Sequence, residues 1–181
     1  MERKHKIMIV TGLALLGLGV AFRKKAMEYI LDRNQENHIK QLHPKCQELF
    51  RRFIAGVERL GYKVIVTTSY RTFAEQLRLK KENPKNATPG LSHHNYGMAI
   101  DINLLKGIKW WKKATPKAEW EATGVPQLAR SMGLQWGGDY ADYHDPIHFN
   151  VKYDTNLLRQ LAISQFGPDE TKIQGNKVLI V

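Results

Sequence analysis

The stretch SHHNYGMAIDI, Ser92 to Ile102, places a carboxylate inside six residues, Gly97 to Ile102, that read as a β-strand. Successive strand side chains point to opposite faces, so Met98, Ile100, Ile102 and Leu104 share one side and Gly97, Ala99, Asp101 and Asn103 the other. The first side is an apolar core face. The second is reduced to a hydrogen, a methyl and a carboxylate, which clears space above the sheet and sets an oxygen ligand at the edge of that space. His94 lies seven residues before Asp101, where the chain enters the strand. Taken alone, such a pair is better read as a solvated strand end with two loop histidines.

A second segment, YHDPIHFNV from Tyr143 to Val151, repeats the pattern. Ile147, Phe149 and Val151 face one way, His148 and Asn150 the other. Asp145 has the wrong parity to join His148 in one regular strand, but Pro146 favours an extended or turning chain at Asp145 and lets that carboxylate curl in from the loop. His94, Asp101 and His148 are thus three candidate metal ligands, with Asp145 nearby and separate. Two imidazoles and a carboxylate suit a catalytic zinc, which keeps a fourth position for water and needs a base that is not itself a ligand. Asp145 is the candidate base. Spacing leaves Asp139 and Asp142 as rival carboxylates and His93 and His144 as rival imidazoles.

The combined pattern resembles a known family. Ser92-x-His94-x-x-Gly97-x-Ala99-x-Asp101, then Trp136-Gly137-Gly138-Asp139, then Asp145-x-x-His148-Phe149, is similar to the zinc peptidases that cut D-amino-acid-containing cell-wall peptides. These include L-alanyl-D-glutamate endopeptidases of phage endolysins and bacilli, D-alanyl-D-alanine carboxypeptidases and vancomycin-resistance dipeptidases; hedgehog signalling domains share the fold. The resemblance spans about Leu42 to Tyr153. It implies Zn2+ held by His94, Asp101 and His148, attack by zinc-bound water on a stem-peptide amide, and Asp145 as general base. Asp at that last position and the WGGD run resemble the L-alanyl-D-glutamate branch more than the dipeptidase branch. The rival activity is D-alanyl-D-alanine carboxypeptidase. A non-enzymatic rival is a zinc-stabilised cell-wall binding module, against which the retained Asp145 argues.

Lys63 to Arg71, KVIVTTSYR, is a β-branched strand that puts Ile65, Thr67, Ser69 and Arg71 on one face. Thr72-Phe-Ala-Glu75 is a capping box, so a helix follows from Phe73 to about Glu82, before Pro84. Arg71 stands at the junction, where its planar fork suits a carboxylate or a developing oxyanion. Read on its own it is an ordinary surface arginine; the resemblance, which has an arginine at the matching S-Y-R-T position near the substrate, makes it functional. Gln76 matches the family's E-Q pair without an assigned role.

The 181 residues, 43% hydrophobic and 25% charged, suffice for one domain with a core. Ile7 to Phe22 is sixteen residues without a charge, between Arg3, Lys4, Lys6 and Arg23, Lys24, Lys25. That is short for a spanning helix but near the lower limit of about 17 if the flanking cations snorkel. The expectation is an uncleaved membrane anchor over residues 1–25, with a signal peptide cut near Gly19-Val20-Ala21 as the alternative. The peptidase would then face the periplasm or cell wall, or be secreted after cleavage. Residues 26–41 read as a polar tether, 42–153 as the zinc peptidase domain, and 154–181 as an extension of unknown role with a helix at Asn156 to Gln165.

Within the domain, Pro44 to Leu60 repeats apolar residues at helical spacing and stops at Gly61. KGIKWWKKATPK, Lys106 to Lys117, mixes lysines with tryptophans as nucleic-acid tracks do. The net charge of +11 falls to +6 once residues 1–25, with six Lys or Arg and one Glu, are set aside. That suits an anionic cell wall, and no nucleic-acid motif accompanies it. The segment reads as a solvated loop whose tryptophans lid the cleft or pack on the sheet. The single cysteine, Cys46, excludes an internal disulfide and reads as a small buried hydrophobe. The expected whole is an α+β domain with an antiparallel sheet, zinc ligands on one face and helices on the other, acting as a monomer on peptidoglycan stem peptides.

Overall fold

The computed structural model describes residues 31–180, which fall into two compact units, Met1–Glu36 and Asn37–Val181. Of the first unit only residues 31–36 are described, and they are helical. The apolar stretch 7–22 lies outside the described residues. Among those described, no helix is long and apolar enough to cross a membrane.

The second unit opens with helical residues 37–41 (α1), whose Ile39 is buried together with the following Leu42. Helix α2, Pro44–Arg59, starts where the sequence placed it: Pro44 supplies the fixed φ of a first turn, and the His43 ring caps it by accepting from Lys45 N–H. Phe50, Phe53, Ile54 and Val57 form its buried stripe, and Gly61 at φ 86 turns the chain away. Strand β1, Lys63–Thr68, follows. It is shorter than the expected strand to Arg71, because its ladder with the next strand slips between Val66 and Thr68. Ser69 and Arg71 therefore lie beyond the sheet. The capping box is formed by both partners, Thr72 and Glu75, and helix α3 runs Phe73–Glu82.

Strand β2, Ala99–Lys106, is the middle of an antiparallel sheet ordered β1-β2-β5-β4, with β3, Lys109–Trp111, also on β2. Strands β4, Leu134–Trp136, and β5, His148–Val151, complete it. Two short helices, α4 at Lys117–Glu121 and α5 at Val125–Ser131, connect β3 to β4. The parity argument holds on the core side, where Met98, Ile100, Ile102 and Leu104 are all buried, with Phe53 of α2 against Phe149 of β5.

Three readings need correction. Gly97 is not a strand spacer: it sits at φ 63 after a 3-10 turn, His93–Tyr96. A Cβ there would come 2.5 Å from His43 N, so glycine is required both by the left-handed backbone and by the close approach of the α2 cap. The second segment is extended only over β5, because Tyr143–Ile147 arrives as a loop. The lysine-rich segment is not wholly a loop: β3 pairs Trp110 with Leu105, and Trp111 packs edge-on against Tyr62.

The tail builds helix α6, Thr155–Phe166, whose Leu158 and Ala162 enter the core with Ile173 and Val178 beyond it. It pairs with no sheet edge. Instead Val178 O accepts from His43, Ile180 O from Lys45, and Asn176 donates to Gln41 O.

Candidate metal centre

Asp101 and His148 are cross-strand partners on β2 and β5, so both side chains leave the same face of the sheet. His94 comes to them from the 3-10 turn. His148 Nδ1 lies 2.9 Å and His94 Nε2 3.1 Å from Asp101 Oδ1, and the two ring nitrogens are 3.1 Å apart. All three residues are at least nine-tenths buried. Burial alone would raise the Asp101 carboxyl, but the charge of His94 and hydrogen bonds from His148 and His94 hold it well below the usual carboxylate range.

The donor set fits a divalent ion. His94 Nδ1 donates to Ser69 O at 2.7 Å, so Nε2, on giving up its own proton, would present a lone pair toward Asp101 and His148. One further bond ties the turn in place, Arg71 N–H to His94 O at 3.0 Å. A carboxylate and two imidazoles thus converge in one buried spot, the only such cluster of His, Cys, Asp and Glu among the described residues. A cation placed there would take a lone pair from each ring in place of the protons that His94 and His148 otherwise turn toward Asp101.

Three of the four rivals are engaged elsewhere. His93 Nε2 is 2.9 Å from Tyr153 O, and burial pulls its pKa down to about 4; His144 Nε2 is 3.2 Å from Thr115 O. Asp139 is clamped by Arg130 and Lys117, which lower its pKa against the cost of burial. Asp145 instead lines the cavity of about 790 Å3 that His94, Asp101 and His148 also line, as do Arg71 and Asp142. Its Oδ1 is buried. Lys113 Nζ approaches to 3.3 Å, yet off the direction a hydrogen bond requires, so that oxygen has no hydrogen-bond partner among the described residues. With the lysine side chain 66% exposed, the pair is a weak charge contact.

Arg71 reaches the cavity in a fixed pose, because Nη1 donates to Gln76 Oε1 at 2.9 Å while Gln76 Nε2 donates to Ala87 O at 2.8 Å. Gln76 is the residue whose part the sequence left blank. Its signal was its place in the first turn of α3, just after the capping box that follows Arg71. Lys113 had none, since its contact with Asp145 depends on how two loops meet.

The chain is 31% identical over 124 residues to the peptidoglycan L-alanyl-D-glutamate endopeptidase CwlK of Bacillus subtilis, covering 61% of this chain and 73% of that one. It belongs to the peptidase M15 family. A profile of that family, described as D-alanyl-D-alanine carboxypeptidase, matches residues 85–151. The L-alanyl-D-glutamate peptidase of Listeria phage A118 is 24% identical over 132 residues, 69% of this chain and 43% of that protein. Among solved structures, the L-Ala D-Glu endopeptidase ChiX of Serratia marcescens aligns at TM-score 0.47 and 22% identity, over 66% of this chain and 86% of that one. The vancomycin-resistance D,D-pentapeptidase VanY with Zn(II) aligns at 0.47 and 18%, over 66% and 78%. This M15 chain is a zinc peptidase of peptidoglycan, either an L-Ala-D-Glu endopeptidase or a D,D-carboxypeptidase.

Proposed function

We propose that this M15 peptidase binds one zinc ion through His94 Nε2, Asp101 Oδ1 and His148 Nδ1 and hydrolyses the bond between L-alanine and D-glutamate in the stem peptide. When bound, zinc supplies Lewis acidity toward the scissile carbonyl and toward water. The observation that carries the mechanism is that Asp145 lines the same cavity as the three ligands while one of its carboxylate oxygens has no hydrogen-bond partner among the described residues. Asp145 takes the proton of the attacking water as the new C–O bond forms, then gives it to the departing D-glutamyl nitrogen as the C–N bond breaks. The products are an L-alanyl carboxylate and a D-glutamyl amine. Arg71, held by Gln76, presents its fork to the free carboxylate beside the scissile bond or to the developing oxyanion.

The choice of bond rests on the 31% identity to an L-alanyl-D-glutamate endopeptidase and on aspartate at the base position. The second reading, D,D-carboxypeptidase, is favoured by the description of the profile matched at 85–151. A catalytic unit facing the periplasm or cell wall, with residues 7–22 in the membrane, completes the proposal; stem peptides lie on that side. Digestion of purified peptidoglycan by the zinc-loaded full chain decides it. Mass spectrometry should find new D-glutamyl amino termini. Free D-alanine without them moves the protein to the carboxypeptidase branch, and no cleavage at full zinc content leaves only the binding-module reading.

A further inference from the structure

The β2–β3 hairpin turns through Gly107 and Ile108, between the paired Lys106 and Lys109. Gly107 at φ 62 meets the positive φ that the first position of such a two-residue turn demands. The second position ordinarily carries a polar residue into water. Here it is Ile108, 99% exposed. Two residues on, in strand β3, Trp110 is 43% exposed, although its neighbour Trp111 is turned inward. Lys112 continues that outer side with its ammonium 4.9 Å from the Trp110 ring, while Lys106 and Lys109 lie over Tyr62 and Trp111. From Lys106 to Lys113 there are four lysines and no acid. Lys109 meets Glu119 and Lys113 meets Asp145, so the excess positive charge rests on Lys106 and Lys112.

We infer that this hairpin tip is a docking surface for an anionic lipid bilayer, with Ile108 and Trp110 entering the headgroup region and the lysines meeting lipid phosphates. A soluble polyanion would satisfy the lysines and gain nothing from a fully exposed isoleucine at the tip. An amphipathic surface takes both: tryptophan settles at the headgroup level, an aliphatic side chain just below it, and each nearby lysine adds attraction to anionic lipid. Lys113, in the loop that continues from β3, lines the catalytic cavity, so a docked tip keeps that cavity beside the bilayer. The inference is independent of which bond the enzyme cuts.

Trp110 makes the test site-specific. The other three tryptophans, Trp111, Trp120 and Trp136, are 8%, 0% and 1% exposed, and residues 7–22 contain none, so the readout does not see that stretch. The full chain is mixed with vesicles containing brominated phosphatidylglycerol or brominated phosphatidylcholine alone. Tryptophan emission should be quenched on the anionic vesicles and much less on the zwitterionic ones. Trp110→Phe should abolish the quenching, and Ile108→Ser should reduce it by about half or more, with cleavage of soluble stem peptides unchanged in both. Absence of quenching in the wild-type chain, or quenching that survives Trp110→Phe, overturns the inference. So does a Trp110 emission shift produced by soluble poly(glycerol phosphate) with no bromolipid quenching, which would make the partner a wall polyanion.

Discussion

Replacing Asp145 by asparagine keeps the shape of the side chain and removes its capacity to accept a proton. If Asp145 is the base, turnover of a stem peptide should fall by about 10²-fold to 10⁴-fold, the usual contribution of a positioned general base, or about 2.7–5.4 kcal/mol of barrier. The fold should barely notice. Among the described residues Lys113 is the charged group paired with the Oδ1 atom, and its 66% exposed side chain makes that pair worth less than about 1 kcal/mol. The metal should also stay, since Asp145 is not in the converging set of His94, Asp101 and His148. The assay is therefore paired: zinc per chain by elemental mass spectrometry, and turnover on a D-glutamate-containing peptide. A variant with full zinc and lost turnover supports the assignment. A variant that loses its zinc while Asp101→Asn keeps it exchanges the two carboxylates, and turnover within about tenfold of wild type removes Asp145 from the chemistry.

His94→Ala, Asp101→Ala and His148→Ala should each lose zinc and activity together, whereas His93→Ala and His144→Ala should keep the metal, because their rings bond Tyr153 O and Thr115 O instead; dialysis followed by metal analysis checks both sets. Arg71→Lys should recover little of the activity lost in Arg71→Ala, and Gln76→Ala should imitate it in part by freeing the guanidinium, with zinc content unchanged in all three. Gly175→Ala should destabilise the unit by about 1–3 kcal/mol, because its Cβ would lie 1.9 Å from Asn95 O in the turn that carries His94; an unchanged melting temperature would show that the tail gives way freely. Burial raises the Cys46 thiol from 9.0 to about 11, so the unfolded chain releases that proton first and stability should fall as pH rises across this interval. Urea titrations should show a shallower fall for Cys46→Ala.

What the sequence revealed, it revealed through period and punctuation. Alternation over Met98 to Leu104 requires one buried face, and that face is buried; Pro44 and Gly61 bound α2, and Thr72 with Glu75 starts α3. Strands β3 and β4 were missed because three residues each are too few for a period of two to show. Gly97 was misread because a glycine in an alternating run serves equally as a small strand residue or as a left-handed stop. Only the α2 cap, more than fifty residues earlier in the chain, decides between them. That Asp145 lines the cavity and Asp139 does not likewise depends on tertiary placement. Arg130 belongs to α5, and its bonds to Asp139 follow from the packing of that helix beside β4.

That placement also gives the Trp136-Gly137-Gly138-Asp139 run a physical role. None of its side chains touches the His-Asp-His cluster through a hydrogen bond, yet each end of the run fixes the loop that delivers Asp145. Trp136 is buried and its indole N–H donates to Pro146 O at 2.7 Å. Gly137 O accepts from Asp145 N–H at 3.3 Å, and a Cβ on Gly137 would come 2.4 Å from Asp145 O, so no other residue permits this approach without moving Asp145. His148 N–H closes the turn onto Asp145 O at 3.1 Å. Asp139 anchors the far side through Arg130, whose guanidinium stacks over the Trp136 ring. The backbone of Asp145 is thus held on both sides while its buried oxygen has no hydrogen-bond partner among the described residues. The role proposed for Asp145, to accept a proton from water and then surrender it to a leaving amine, would need that combination: a fixed position and an unspent lone pair.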